Sequence, residues 1–143
     1  MKVKDVHKYI TIEPPILHKD ATIKDVIETL LKDPRSRSVY IVDDKNTLIG
    51  IIPTSTILKA THILKGKKTL RKEDTFDALK ISTARYAKDI MHPPVYVFED
   101  EDIKDVLESM VTEGYQELPV VNKDKKVIGD LNCLEIIKAI WEK

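Results

Sequence analysis

Cysteine, glycine and aromatic residues are scarce in this chain. It has one cysteine and four glycines in 143 residues, and aromatic residues make up 6%. The lone Cys133 cannot form an intramolecular disulfide, no N-terminal segment reads as a signal peptide, and no apolar run approaches the roughly 20 residues that span a membrane. We therefore expect a cytoplasmic protein, without a membrane partner, whose core is large enough to fold without disulfides.

A net charge is also absent, because 24 basic residues balance 24 acidic ones. This balance argues against a general nucleic-acid coat. The stretch from Lys59 to Lys72 is nevertheless rich in lysine and contains no acid. It could bind nucleic acid, but it lacks the interleaved aromatic residues that stack on bases, so a solvated linker is the expected explanation.

Chemistry-bearing residues form no pattern typical of an enzyme or a metal site. No nucleophile, base and orienting group can be grouped from the sequence. The four histidines show no ligand spacing with one another or with Cys133, and the acidic run 99–105 lacks the glycine of a calcium loop. We expect no catalytic activity, no metal and no resident cofactor.

The chain does contain an internal repeat. Ile23-Lys24-Asp25-Val26 recurs as Ile103-Lys104-Asp105-Val106, and Leu48-Ile49-Gly50 corresponds to Val127-Ile128-Gly129. The apolar positions around the first match also correspond, which argues against chance recurrence. Repetition on this scale indicates two units that bury their apolar faces against each other. The predicted segments are residues 1–64 as the first repeat, 65–86 as a linker and 87–143 as the second repeat.

The first unit predicts the element order β-α-β-β-α, beginning with a strand that follows Pro14-Pro15. Thr22 is a good N-cap for an amphipathic helix that ends near Asp33-Pro34. Residues 39–42 and 47–52 flank a turn and predict a β-hairpin. A second helix is expected after Pro53.

The second unit predicts the same order. A strand over 95–98 precedes a helix capped by Asp102, and residues 118–121 and 126–129 form the hairpin. A closing helix ends the unit, and residues 74–81 of the linker could form a further short helix. The predicted fold class is α+β, with two β-α-β-β-α repeats.

With this order fixed, the motifs resemble those of the cystathionine β-synthase-type (CBS) domain, a regulatory module found in tandem. Residues 87–91 (AKDIM) resemble the family's opening "kDIM", 118–122 (LPVVN) resemble "lPVvd", and 127–129 (VIG) resemble "lvG". In the first unit, residues 3–6 (VKDV) correspond to the family's opening motif, and residues 7–13 form an insertion after it. The resemblance implies a pseudo-twofold pair of repeats, often a homodimer, with clefts for adenosine-type ligands such as AMP, ADP, ATP or S-adenosylmethionine.

The family's nucleotide signature is a Gly, two apolar residues, Thr or Ser, two variable residues and Asp. Pro53 and Thr56 stand at the Thr and Asp positions of the first unit, and Asn132 and Glu135 stand there in the second. The resemblance implies that these residues, with the hydroxyls of Thr54-Ser55, bind phosphate at a helix start and accept from ribose hydroxyls. The alternative is that all of them are plain helix caps.

Other candidate ligand residues flank the strands. The family often has phosphate-binding basic residues before the first hairpin strand, where Arg35 and Arg37 stand, whereas Glu117 in the second unit would repel a phosphate. A solvated loop is the alternative for the arginines. The resemblance assigns the adenine edge to backbone groups near Pro15, Ile16, Pro94 and Val95, and the faces of the ring to apolar side chains such as Val39 and Leu118; Pro119 is a further candidate. The alternative is that these residues only form the core or the strand entries.

The closing helix predicts a homodimer. Leu134, Ile137, Ile140 and Trp141 share one side, while Ile136 points about 100° away from Ile137. A helix on one small sheet cannot bury both directions, and aromatic residues are enriched at interface cores. The alternative is that Trp141 covers the core of its own repeat.

The leading functional hypothesis is a regulatory module that binds an adenine nucleotide or another adenosyl compound between the repeats and signals to an unidentified partner protein. Two alternatives remain open. The altered Thr and Asp positions favour a ligand-free dimerisation scaffold, and the basic linker favours nucleic-acid binding.

Overall fold

The computed structural model describes residues 1–8, 13–65 and 83–142. Each repeat has the predicted β-α-β-β-α order, and the α+β class is confirmed. The predicted helix over 74–81 lies outside the described residues. After a 3-10 turn at Val3–Asp5, the elements are β1 (Ile16–His18), α1 (Ile23–Lys32), β2 (Ser38–Val42), β3 (Leu48–Pro53), α2 (Thr54–Lys65), α3 (Ala87–Ile90), β4 (Val97–Phe98), α4 (Ile103–Glu113), β5 (Glu117–Val121), β6 (Val127–Asn132) and α5 (Cys133–Trp141).

The two sheets have the same topology. In the first sheet, β2 is central, parallel to β1 and antiparallel to β3, and β5 has the same place between β4 and β6. Both hairpins shift register at corresponding places, after Ile41 and after Val120. Both turns also contain a residue with positive φ, Asn46 or Lys125. The repeat in the sequence is therefore a repeat in backbone geometry.

Side-chain caps fix the ends of the helices that precede the hairpins. Thr22 Oγ1 accepts from Asp25 N at 3.1 Å, and the Asp25 carboxylate accepts from Thr22 N at 2.9 Å, which forms a capping box. Asp102 caps α4 through Lys104 N, and Gly114, in the left-handed region at φ 77°, ends it. The predicted helix starts after Thr22 and Asp102 are confirmed. The prediction for 95–98 is wrong at its start, because only Val97 and Phe98 pair with β5.

The opening segments exchange places between the repeats. Val3 and Val6 are buried in the core of the second repeat, and Ala87 and Ile90 are buried in the core of the first. Backbone hydrogen bonds fix both exchanges, from Val3 N to Glu101 O at 3.0 Å and from Ala87 N to Ala21 O at 2.8 Å. A third cluster lies in the seam between the sheets, consisting of Tyr40, Leu48 and Val121 with partly buried Ile51, Tyr96, Phe98 and Val127. The two repeats are therefore held together at three places. Within the described ranges, no helix has the length and apolar character needed to cross a membrane.

Two glycines allow the exchanged segments to pack closely. A Cβ added to Gly50 would lie 2.7 Å from Met91 Cγ, and one added to Gly129 would lie 2.5 Å from His7 Cε1. Neither glycine lies in the left-handed region, so the requirement is for space rather than for backbone freedom. His7 and Met91 thus occupy equivalent places in the two halves.

We expect Gly50→Ala to lower the free energy of unfolding by about 1–3 kcal/mol, because the new methyl group would overlap the Met91 side chain. Urea denaturation followed by circular dichroism measures the loss. In the double variant Gly50→Ala/Met91→Ala the overlaps with Sδ and Cγ are removed and only the Cβ of residue 91, at 2.9 Å, remains close. The double variant should therefore cost less than the sum of the two single variants. Fully additive costs would show that Met91 does not limit the space at Gly50.

Candidate functional site

A cavity of about 600 Å³ lies where the chain enters β1. It brings together three of the predicted ligand residues, Pro15, Ile16 and Arg35. We call this cavity the first cleft; the residues that line it are Glu13, Pro14, Pro15, Ile16, Leu17, Thr29, Lys32, Asp33, Arg35 and Ser36. Its wall combines apolar surface with two cations, two carboxylates and two hydroxyl groups.

Arg35 is held at the wall of the first cleft by a carboxylate. Its Nε lies 3.1 Å from Asp33 Oδ1, and its backbone N donates to the same oxygen at 3.0 Å. This pairing raises the pKa of the Arg35 guanidinium and lowers the pKa of Asp33. Both side chains contact solvent, and exposed ion pairs are worth little. This ion pair therefore contributes little to the stability of the fold.

The second repeat reaches this wall through Asn132. Its Nδ2 donates to the Arg35 carbonyl at 3.2 Å, and its Oδ1 accepts from Leu134 N at 2.9 Å. Glu135 Oε1 accepts from Asn132 N at 3.0 Å, so Asn132 and Glu135 form the capping box of α5. Both residues are buried. In the structure they cap the helix, and their contact with a ligand remains a prediction.

We expect Asn132→Ala to cost about 1–2 kcal/mol of stability, because it removes both the helix cap and the bond to Arg35. Asn132→Ser keeps an oxygen that can cap α5 but loses the bond to Arg35, so its cost should be smaller. Chemical denaturation of the two variants separates the contributions. Equal costs would show that the cap contributes little.

Arg37 lies on the same loop as Arg35, and both of its backbone groups are used. Its N donates to Glu117 Oε1 at 3.1 Å, and its carbonyl accepts from Thr54 N at 2.9 Å. The Arg37 side chain is exposed. Thus both arginines stand on a loop that the second repeat contacts at two points, through Asn132 and through Glu117.

His92 binds the proline segment before β4 to the first repeat through hydrogen bonds. Its backbone exchanges two hydrogen bonds with Ile51, at 2.8 and 3.0 Å, and its Nε2 lies 2.8 Å from Thr56 Oγ1. This brings Thr56 close to the segment that holds Pro94 and Val95. Thr54 and Ser55 instead line an apolar groove of about 450 Å³ between α1 and α2. The three residues of the first signature therefore face different surroundings.

The residues assigned to the faces of the adenine ring are buried inside the repeats. Val39 belongs to the first core and Leu118 to the second. Pro119 is buried and lies opposite Asp130 in the β5–β6 ladder. The stacking role of these residues remains a prediction. The accessible apolar surface of the first cleft comes from Pro15, Ile16 and Leu17.

Sequence reasoning missed a buried polar cluster in the seam. The Tyr40 hydroxyl donates to Asp130 Oδ1, and Glu117 lies beside both groups. Burial raises the pKa values of Tyr40 and Glu117. One sequence signal pointed to this cluster, because Asp130 stands at an apolar position of the nucleotide signature. The Glu117 carboxyl lies in the seam and accepts from Arg37 N, and its predicted repulsion of a phosphate remains a prediction.

Metal ligands are not gathered anywhere in the described part of the chain: no group of three His, Cys, Asp or Glu side chains there could hold an ion. His7 is buried, and burial lowers its pKa. Cys133 is the partly buried first residue of α5. The described residues therefore offer a cavity and a buried polar seam, but no group of metal ligands.

Two β-α-β-β-α repeats with exchanged openings define a tandem α+β fold. The family model for the CBS domain matches residues 3–63 and 87–142. The chain therefore belongs to the CBS domain family, as its motifs predicted. The predicted limits of the two repeats and of the linker remain a prediction.

Among relatives, the chain is 40% identical over 158 aligned positions to the protein MJ1426 of Methanocaldococcus jannaschii, covering 98% of this chain and 91% of the relative. It is 25% identical to the carnitine transport ATP-binding protein OpuCA of Listeria monocytogenes, over 98% of this chain but 30% of OpuCA. The M. jannaschii protein MJ0188 is 32% identical, and 46% of it is covered. The chain thus spans less than half the length of OpuCA and MJ0188.

Solved structures agree with this fold. A CBS domain-containing protein of Thermotoga maritima, TM0935, matches with a TM-score of 0.80 at 34% identity, covering 100% of this chain and 96% of that one. CBSX2 in complex with AMP matches with a TM-score of 0.76 at 20% identity, over 99% and 96% of the two chains. The CBS domain pair of MJ0100, in complex with 5'-methylthioadenosine and S-adenosyl-L-methionine, matches with a TM-score of 0.74 at 22% identity, over 99% and 97%.

Proposed function

We propose that this chain is a ligand-sensing regulatory module that binds an adenine nucleotide or related adenosyl compound in the first cleft. The observation that carries the proposal is the single cavity wall shared by Pro15, Ile16 and Arg35. The family resemblance assigns Pro15 and Ile16 to the adenine and Arg35 to the phosphate, and all three line the first cleft. Two pairs of the same fold, CBSX2 and MJ0100, hold AMP or S-adenosylmethionine and methylthioadenosine.

The chemistry of the first cleft favours a ligand with an apolar ring and an anionic end. Ile16 and Leu17 offer apolar surface, and Lys32 and Arg35 offer positive charge. Glu13 and Asp33 add two carboxylates, of which Asp33 already pairs with Arg35. A guanidinium binds phosphate oxygens through two parallel hydrogen bonds. A phosphate would draw Arg35 away from Asp33, and the carbonyl of Arg35 would remain bonded to Asn132.

The proposed signalling rests on the contacts of the loop that contains Arg35 and Arg37. Because Asn132 and Glu117 of the second repeat bind the backbone of Arg35 and Arg37, a ligand that repositions the loop acts on both repeats. A ligand shifts such an equilibrium only as far as its affinities for the two arrangements differ. We propose that the shift is read by a partner protein.

We also propose that the module is a homodimer formed through helix faces. In α5, Ile136 is 1% exposed, whereas Trp141 is 83% exposed, with Leu134, Ile137 and Ile140 also exposed. The first repeat has a matching face on α1 and α2, with Ile27, Leu31 and Leu58 exposed. Contiguous apolar surface of this kind marks an interface.

Thermal melting with AMP, ADP, ATP, NAD, S-adenosylmethionine and an RNA oligonucleotide in parallel tests the proposed ligand class. A ligand at a hundred times its dissociation constant adds about 2.7 kcal/mol of stability. We expect at least one adenosyl compound to raise the melting temperature in this way. Unchanged curves throughout would support the dimerisation scaffold instead, and a response to RNA alone that falls steeply with salt would support the basic linker as the binding element.

A further inference from the structure

Three polar side chains from three strands meet in the seam between the repeats. Tyr40 comes from β2, Glu117 from β5 and Asp130 from β6, and they are 0%, 7% and 0% exposed. The Tyr40 hydroxyl donates to Asp130 Oδ1, and Glu117 Oε1 accepts from Arg37 N at 3.1 Å. The cluster therefore links the first sheet to the second next to the loop that lines the first cleft.

If both carboxyl groups of this cluster are ionised, some of their oxygens have no hydrogen-bond donor in the described ranges. The groups that face Glu117 are the Asp130 carboxyl, the Tyr40 hydroxyl and the backbone amides of Arg37 and Ser38. An ionised carboxylate can only accept hydrogen bonds. Two carboxyl groups can therefore form a hydrogen bond with each other only when one of them carries a proton. Among the described residues, Glu117 Oε2 has no partner that donates to it. Glu117 and Asp130 are both buried and lie on the paired strands β5 and β6, and two neighbouring buried carboxyl groups disfavour a second negative charge.

We propose that Glu117 and Asp130 share one proton at neutral pH, and that this proton stabilises the contact between the two repeats beside the first cleft. In this arrangement the protonated carboxyl donates to the other, Tyr40 donates to Asp130, and Arg37 N donates to Glu117. Loss of the proton places two adjacent negative charges in the seam and weakens the hold on the Arg37 loop. The inference concerns the seam alone and stands whether or not a nucleotide binds.

The pKa of Glu117 agrees in direction, because burial raises it from its ordinary value of 4.5. Glu117 then keeps its proton to higher pH in the folded state than in the unfolded state. Its contribution to stability is therefore fully present below about pH 4.5 and is lost as the pH rises through the pKa of the folded state. His7 has the opposite effect, since burial lowers its pKa from 6.5 and its contribution is lost as pH falls. A comparison of variants at each pH removes the contribution of His7.

Glu117→Gln is the matched test of the shared proton. Glutamine accepts from Arg37 N through Oε1 and donates to Asp130 through Nε2, as the protonated glutamate would. We expect the melting temperature of wild type to fall relative to Glu117→Gln between pH 5 and pH 9, with the gap widening by about 4 °C. Glu113→Gln, at an exposed site on α4, makes the same charge change and should follow wild type. Parallel curves for wild type and Glu117→Gln would overturn the proposal.

Carboxyl carbon NMR of the uniformly labelled wild-type protein tests for the shared proton even if Glu117→Gln does not fold. We expect one side-chain carboxyl resonance to remain at the position of a protonated acid at pH 6.5 and to move only at higher pH. A spectrum in which every glutamate and aspartate is ionised at pH 6.5 would overturn the proposal. Neither experiment involves a ligand, so failure of the seam proposal and failure of the ligand proposal are separate results.

Discussion

Replacing Trp141 by alanine is expected to convert most of a dimer of this chain into monomer at micromolar concentration. A large aromatic side chain at an interface core commonly contributes 2 kcal/mol or more, which corresponds to a dimer weakened about 30-fold or more. Trp141 is the chain's only tryptophan and is 83% exposed, so it does not cover the core of its own repeat. Its loss should therefore affect association far more than folding.

Sedimentation velocity measures this effect directly. Wild type should sediment as twice its 16.4 kDa mass, and Trp141→Ala should sediment close to the monomer. Glu142→Ala is the control, because it alters a neighbouring exposed residue that pairs with Lys138 without removing apolar surface. A wild-type species of 16.4 kDa would refute the dimer, and a variant that stays dimeric would place the interface away from α5.

Replacing Arg35 by alanine is expected to weaken AMP binding by about 10- to 100-fold, because hydrogen bonds to charged groups contribute roughly 1.5–3 kcal/mol. Adenosine lacks the phosphate, so its affinity should be nearly the same for wild type and Arg35→Ala. Isothermal titration calorimetry with both compounds gives the comparison. A selective loss for AMP would assign the phosphate to the arginine side of the first cleft.

Lys45→Ala is the matched control for Arg35→Ala. Lys45 is an exposed cation in the turn between β2 and β3, so its removal changes the net charge equally without altering the first cleft. We expect its AMP affinity to follow wild type. If Arg35→Ala and Lys45→Ala weaken AMP binding equally, the effect of Arg35 is one of net charge, and the phosphate lies elsewhere.

The order of the elements could be predicted because local signals determine it. Thr22 and Asp102 cap their helices, and both hairpins follow from alternating apolar strands and short polar turns. The strand over 95–98 was predicted too long, since an apolar run does not show how far its partner extends. The two directions of α5 were also correct, because helical spacing separates Ile136 from Ile137 and the structure buries one and exposes the other.

Contacts between distant segments could not be predicted from these signals. Nothing in the sequence of Val3-Lys4-Asp5-Val6 shows that it packs in the second repeat rather than the first. The bond from Asn132 to Arg35 and the meeting of Tyr40 with Asp130 likewise join residues whose neighbours along the chain reveal no partner. The candidate site was therefore predicted as residues of a motif, while its geometry depends on how the two repeats pack.

Amide NMR of the labelled chain titrated with AMP tests the central proposal most directly, because each residue reports separately. The proposal predicts saturable shifts at Ile16, at the loop from Arg35 to Arg37 and at Asn132, with little change in the exposed turn at Lys123-Asp124. Adenosine should shift Ile16 but affect Arg35 less. A spectrum that stays unchanged with AMP, ATP and S-adenosylmethionine, or one whose saturable shifts avoid the first cleft, would contradict a ligand site there.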